Sequence, residues 1–237
     1  MAPSGGERAA RQSEPSGTRS GAPRTPRTRR LSDERRVTRY ANAVTRAAVR
    51  AAPRADAPPV GRLRYRTEDG PLETYLALKL RVDGAGRDWL HVRLPGRPNG
   101  RTGWVRRADL GPLVTVHTLL RVDRRALRAT LYERGRRIWS SPIAVGRPST
   151  PTPAGRYWIR SRLKGLGDGT VYGPWAFGTA AYSNLSEWPG GGVVGIHGTN
   201  RPELIPGRPS HGCIRVPNTA IRRLARIMPV GTPVHIV

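Results

Sequence analysis

The segment Ser210-His211-Gly212-Cys213-Ile214-Arg215 carries the one cysteine of the 237-residue chain. His211 lies two positions before that thiol, and His197 sits upstream in the Gly-rich run Gly195-Ile196-His197-Gly198-Thr199. A thiol attacks as its thiolate, so it needs a base or a cation beside it. Two imidazoles and the Arg215 guanidinium offer both, and glycines let the backbone pass close to a substrate. The ordinary role of a lone cysteine is that of a small buried hydrophobe. Here Ser, His, Gly and Arg surround it, a setting expected to lower the thiol pKa and favour the thiolate. Zinc is the other use for His beside Cys, but a single Cys without CxxC or HExxH spacing supplies no ligand set. These residues point to nucleophilic catalysis with no metal and no organic cofactor.

Such a pair needs a strand to carry the histidine and a returning loop to carry the thiol. Alternation predicts strands over 114–117, 129–132, 138–139, 142–146, 157–160, 193–197 and 233–237. The Pro-rich stretch 148–153 is expected to be irregular, because proline lacks a ladder donor. A helix is expected over 218–228, with Asn218 as its cap and Ile221, Leu224, Ala225 and Met228 as its buried stripe. Gly165 to Gly169 reads as a turn, and Leu185 to Gly192, carrying Trp188, as a loop set over the site. Tyr172 fits either the pocket or the core, and His117 and His235 read as ordinary sheet residues.

Several of these segments together resemble the L,D-transpeptidase catalytic domain family. They are His197-Gly198-Thr199, the SHGCIR run, Pro148-Ser149-Thr150-Pro151-Thr152-Pro153-Ala154-Gly155 followed by Tyr157-Trp158, Tyr172-Gly173-Pro174-Trp175-Ala176, and Gly231-Thr232-Pro233-Val234. The resemblance covers about residues 113–237 and implies a β-sandwich with one helix near the C-terminus. It implies that Cys213 attacks a peptidoglycan stem peptide to form a thioester, that His197 is the acid/base, and that His211 supports the site. Ser210, Gly212 and Arg215 are then the substrate-side residues. The family often has Asn where Arg215 stands, so this arginine either meets a substrate carboxylate or forms a salt bridge within the domain. The implied activity is 3→3 cross-linking between a donor tetrapeptide and an acceptor amine. Water as acceptor would give an L,D-carboxypeptidase, and loss of catalysis would leave a peptidoglycan-binding protein.

The rest of the chain reads as mainly β. Residues 57–111 hold short strands at 75–80, 89–94 and 102–105 between Gly/Pro punctuation, the pattern of a small barrel. The run from Trp89 to Leu110, with Gly103-Trp104-Val105 in it, resembles bacterial SH3-like modules, either wall-binding or a spacer. His91 reads as a surface or packing residue. Residues 1–56 read as a basic tail, disordered to Arg30 and helical over 31–52, with Ser32 capping and Val37, Tyr40, Ala41, Val44 and Ala48 on one side. That helix would touch a membrane surface or lie solvated in a linker.

A formal net charge of +26, from 42 Lys+Arg against 16 Asp+Glu, invites nucleic acid as a partner. However, the cations are spread along the chain without interleaved aromatics, and Arg-, Ala-, Gly- and Pro-rich composition also follows from GC-rich coding. An anionic wall polymer or membrane surface fits better. No run of 18 apolar residues occurs, so no helix is expected to span a bilayer. The resemblance implies a cell-envelope location outside the cytoplasmic membrane. Yet 40–52, the best apolar stretch for a secretory signal, is interrupted by Arg46 and Arg50, and the Arg35-Arg36 pair precedes too charged a core.

Overall fold

The structure, a computed structural model, describes residues 25–164, 167–187 and 189–237. The expected disorder before Arg30 falls largely outside them, as do Gly165 and Trp188. Eight strands come first: β1 (Arg27–Arg30), β2 (Thr38–Asn42), β3 (Ala48–Arg50), β4 (Pro59–Arg62), β5 (Thr74–Val82), β6 (Asp88–Arg93), β7 (Thr102–Arg106) and β8 (Val114–Val116). They form one sheet in the order β4-β3-β7-β6-β5-β2-β8, with β1 also paired to β5. His91 stacks on Trp104 across β6 and β7, with ring centroids 4.7 Å apart.

The helix expected over 31–52 is absent. β2 and β3 occupy that stretch and bury Thr38, Ala41 and Val49 in the first sheet's core. The Asp33 carboxylate accepts the N–H groups of Arg35, Arg36 and Val37 at 2.8, 2.8 and 2.9 Å, closing a tight turn where a helix was expected to begin. Ser32 caps nothing. Its hydroxyl donates to the Ala77 carbonyl at 2.6 Å and accepts the Arg39 N–H at 2.8 Å. Tertiary pairing to β5 overrides the Ala-rich helical pattern. Residues 27–50 are therefore part of the first sheet and not a tail, and β8, expected in the catalytic unit, pairs with β2.

The second sheet holds β9 (Thr118–Asp123), β10 (Arg128–Glu133), β11 (Arg136–Pro142), β12 (Ala144–Gly146), β13 (Gly155–Lys164), β14 (Trp175–Tyr182), β15 (Val193–His197), β16 (Gly207–Ser210), β17 (Ile214–Arg215) and β18 (Pro233–Ile236). Its order is β11-β10-β9-β18-β13-β14-β15-β17-β12-β16. Arg134 and Gly135, at φ 50° and 86°, make the two-residue turn between β10 and β11, whose twist suits a hairpin. The helix α1 (Asn218–Ile227) packs Ile221, Leu224 and Ala225 on this sheet. No described helix is long and apolar enough to cross a membrane.

The two sheets share buried polar contacts. Arg160 of β13, 2% exposed, donates from Nε to Glu73 at 2.7 Å and from Nη2 to Glu68 at 2.9 Å, and Glu73 is fully buried. The Trp158 indole donates to the Thr74 carbonyl at 2.7 Å. Such a pair is costly to break from one side only, because the remaining charge is left dry.

Candidate active site

The site grows from the pairing of β15 with β17. These short strands run parallel, with Ile196 opposite Ile214 and His197 opposite Arg215. Ile196 and Ile214 are fully buried, and two such side chains hold the register with about 1.5–3 kcal/mol each. Strand alternation then turns Gly195 and His197 to the other face. Gly195 has no side chain there, and that gap admits the thiol. A Cβ built on Gly195 would lie 3.6 Å from His197 Cδ2 and 3.8 Å from Cys213 Sγ. The Gly195 N–H donates to that sulfur at 3.4 Å. Folding thus brings His197 and Cys213 around one glycine.

His197 is 4% exposed, and its Nδ1 lies 2.6 Å from the Gly198 carbonyl oxygen. A carbonyl only accepts, so Nδ1 carries the proton and Nε2 keeps its lone pair. Burial pushes this imidazole down to about 4, with the Arg215 charge acting the same way and the Gly198 carbonyl opposing. Cys213 is half-buried, and burial pushes its thiol above the ordinary value, against the Gly195 N–H and Arg215. The lowered thiol pKa expected from the flanking residues is therefore corrected: desolvation outweighs the cation. The resting pair is a neutral thiol beside a neutral imidazole.

The loop ahead of Cys213 is held by residues from elsewhere in the chain. Thr152 accepts the Gly146 N–H at 2.9 Å and donates to the Gly212 carbonyl at 2.7 Å. Gly212, at φ +122°, packs where a Cβ would stand 3.1 Å from Ser183 Cβ, so the loop needs glycine on both counts. Ser210 is 1% exposed; its hydroxyl donates to the Cys213 carbonyl at 2.6 Å and accepts the Gly212 N–H at 3.1 Å. These two bonds hold the turn that carries the thiol. His211 is half-buried, its imidazole lowered by loss of solvent and by the Arg147 and Arg215 charges. Arg215 is half-buried, and its Nε is buried with no hydrogen-bond partner. Among the described residues it makes no ion pair, so the internal salt bridge is not formed.

Three further residues border the pair: Tyr172, left open by the sequence between pocket and core, and Asn218 and Gly173, which the sequence did not single out for the site. Tyr172, 40% exposed, meets the His197 ring edge-on with centroids 5.1 Å apart, which places it on the site and outside the core. The Asn218 side chain, expected as a helix cap, makes no cap bond and instead accepts the Thr199 N–H at 2.8 Å. Gly173 packs against Gly198, where a Cβ would come within 2.6 Å of its Cα.

Comparison with known proteins agrees. The family model described as the L,D-transpeptidase catalytic domain (YkuD) matches residues 117–236. The Bacillus subtilis protein given the name L,D-transpeptidase YkuD is 37% identical over 145 residues, covering 61% of this chain and 73% of that one. Its Bacillus licheniformis namesake is 44% identical over 106 residues, covering 45% of this chain and 57% of the other. A crystal structure of an Enterococcus faecium L,D-transpeptidase is 26% identical with a TM-score of 0.41, covering 51% of this chain and 49% of that chain. The chain belongs to the L,D-transpeptidase catalytic domain family. It spans little more than half the length of the Bacillus licheniformis protein.

Proposed function

We propose that the chain is a cysteine acyltransferase of the cell envelope that forms 3→3 cross-links between peptidoglycan stem peptides. The observation that carries this reading is the shared contact of Cys213 Sγ and the His197 ring with the space above Gly195. His197 Nε2, oriented by the Nδ1–H bond to Gly198, takes the thiol proton as sulfur attacks the carbonyl of the third, L-configured stem residue. The tetrahedral oxyanion collapses, the C–N bond to the terminal D-residue breaks, and His197 returns the proton to that departing amine. An acceptor amine then attacks the thioester, loses its proton through His197, and regenerates the thiol. Water in its place yields the carboxypeptidase product.

The Gly212 N–H is engaged by Ser210, so we assign the binding of the oxyanion to the Cys213 N–H. Arg215, lacking an internal acid, is assigned to a substrate carboxylate. His211 is an accessory group at the rim. Residues 57–111 are assigned as an SH3-like module that either binds the wall or serves as a spacer. The test is intact-mass analysis after incubation with a tetrapeptide fragment. An adduct on Cys213, absent in Cys213→Ala, is expected; processing by Cys213→Ala at the parent rate refutes the mechanism.

A further inference from the structure

A second concave site lies on the far part of the same sheet, three strand steps from β15. It is a cavity of about 490 Å³ beneath the Arg35-Arg36 turn, with Arg121 and His235 among its lining and Leu119 and Tyr132 as its apolar wall. That volume is typical of small-ligand sites. His235 of β18 pairs directly with Arg121 of β9 on one side and Arg156 of β13 on the other. Directly opposed residues share a face, so the register sets Arg121 and Arg156 on either side of His235.

Of this group, Arg121 alone has an acid partner among the described residues, Asp123 at 3.3 Å. Arg35 and Arg36 make no side-chain hydrogen bond or ion pair among the described residues. The nearby acids are committed: Glu34 binds Arg93 through both oxygens at 2.6 and 2.9 Å, and Asp123 pairs with Arg121 at 3.3 Å. His235 Nε2 is buried with no hydrogen-bond partner. The turn is also preorganised. Three N–H bonds to Asp33 fix its lower side, and His117 Nδ1 bonds the Arg36 carbonyl at 3.0 Å.

We propose that this cavity binds an organic phosphate ester. Guanidinium forks match phosphate oxygens two at a time, and the unpaired Arg35 and Arg36 supply two of them, with Arg121 beside them. The Leu119 and Tyr132 wall takes the organic body. Free metabolites, wall-polymer termini and lipid headgroups all present this group, so the experiment separates the sources. The full chain is titrated calorimetrically at physiological ionic strength with glycerol phosphate, with inorganic phosphate and with phosphatidylglycerol vesicles.

Saturable binding of glycerol phosphate, tighter than that of inorganic phosphate, is expected. It should weaken at least tenfold in Arg35→Ala/Arg36→Ala, two exposed positions whose loss leaves the Asp33 turn intact. The His235 imidazole resonance should shift on binding while that of His197 stays. Vesicle binding with the same arginine dependence identifies a lipid headgroup as a source; glycerol phosphate binding without it points to a soluble or polymeric ester. No saturable binding of glycerol phosphate or vesicles, or equal affinity in the double variant, overturns the proposal.

Discussion

The depressed imidazole at the site makes a pH prediction with a definite sign. His197 titrates at about 4 in the folded chain and at the ordinary 6.5 when unfolded. The unfolded chain therefore takes up the proton first as pH falls, and folding loses stability between 6.5 and 4. At 1.36 kcal/mol per unit, the full cost reaches roughly 3 kcal/mol at the acid end and vanishes above pH 7. Chemistry follows the same group. Acylation needs the neutral imidazole, so kcat/KM should hold down to about pH 5 and fall near 4. An unperturbed histidine would lose half its rate near 6.5. The assay is the initial rate of Cys213 acylation from pH 4 to 9, paired with urea unfolding of the parent and of His197→Gln over the same range. The variant should lose less stability than the parent below 6.5, and that difference isolates this histidine from His91, His211 and His235, which are also lowered. An acid limb centred near 6.5, or identical stability slopes in parent and variant, would refute the reasoning.

Two further outcomes follow from the packing. Arg160→Met leaves the buried Glu73 with only the half-exposed Arg64, at 3.1 Å, as its cation, and should cost about 3–5 kcal/mol in urea unfolding, most of it recovered in Arg160→Met/Glu73→Leu; a cost under about 1 kcal/mol would show the pair to be dispensable. Thr152→Val strands the Gly146 N–H and the Gly212 carbonyl, and should cost about 1–3 kcal/mol and slow acylation, whereas Thr152→Ser keeps both bonds and should behave as the parent.

The residues of the candidate site were legible because they lie in residue types: one thiol, two imidazoles and an arginine within nineteen positions of sequence. The strand bearing His197 was legible because Val193, Val194 and Ile196 are β-branched. β14 was not, because Ala176, Gly178, Ala180 and Ala181 carry almost no strand propensity and are placed by their neighbours β13 and β15. Thr152 was hidden for another reason. It sits among prolines that announce an irregular segment, and only the folded chain shows its hydroxyl bridging Gly146 and Gly212. The thiol's raised pKa was missed because sequence displays nearby charge but not desolvation, and desolvation dominates here.

The same distinction explains why residues 31–52 misread as a helix. An Ala- and Arg-rich stretch has helical propensity worth only tenths of a kcal/mol per residue. Against that, β2 pairs on both edges, and the Tyr40 ring packs against the core of the second sheet and fills the space a Cβ on Gly231 would need. Gly231, at φ +83°, is thus bare because Tyr40 covers it. Leu76 of β5 likewise belongs to the core of the catalytic sheet. With Arg160 and Glu73 beside these apolar contacts, the first sheet is part of the catalytic unit's own packing. A cut in the chain near residue 112 would therefore expose Leu76's pocket and strand a buried arginine, and the catalytic sheet would lose stability along with its neighbour.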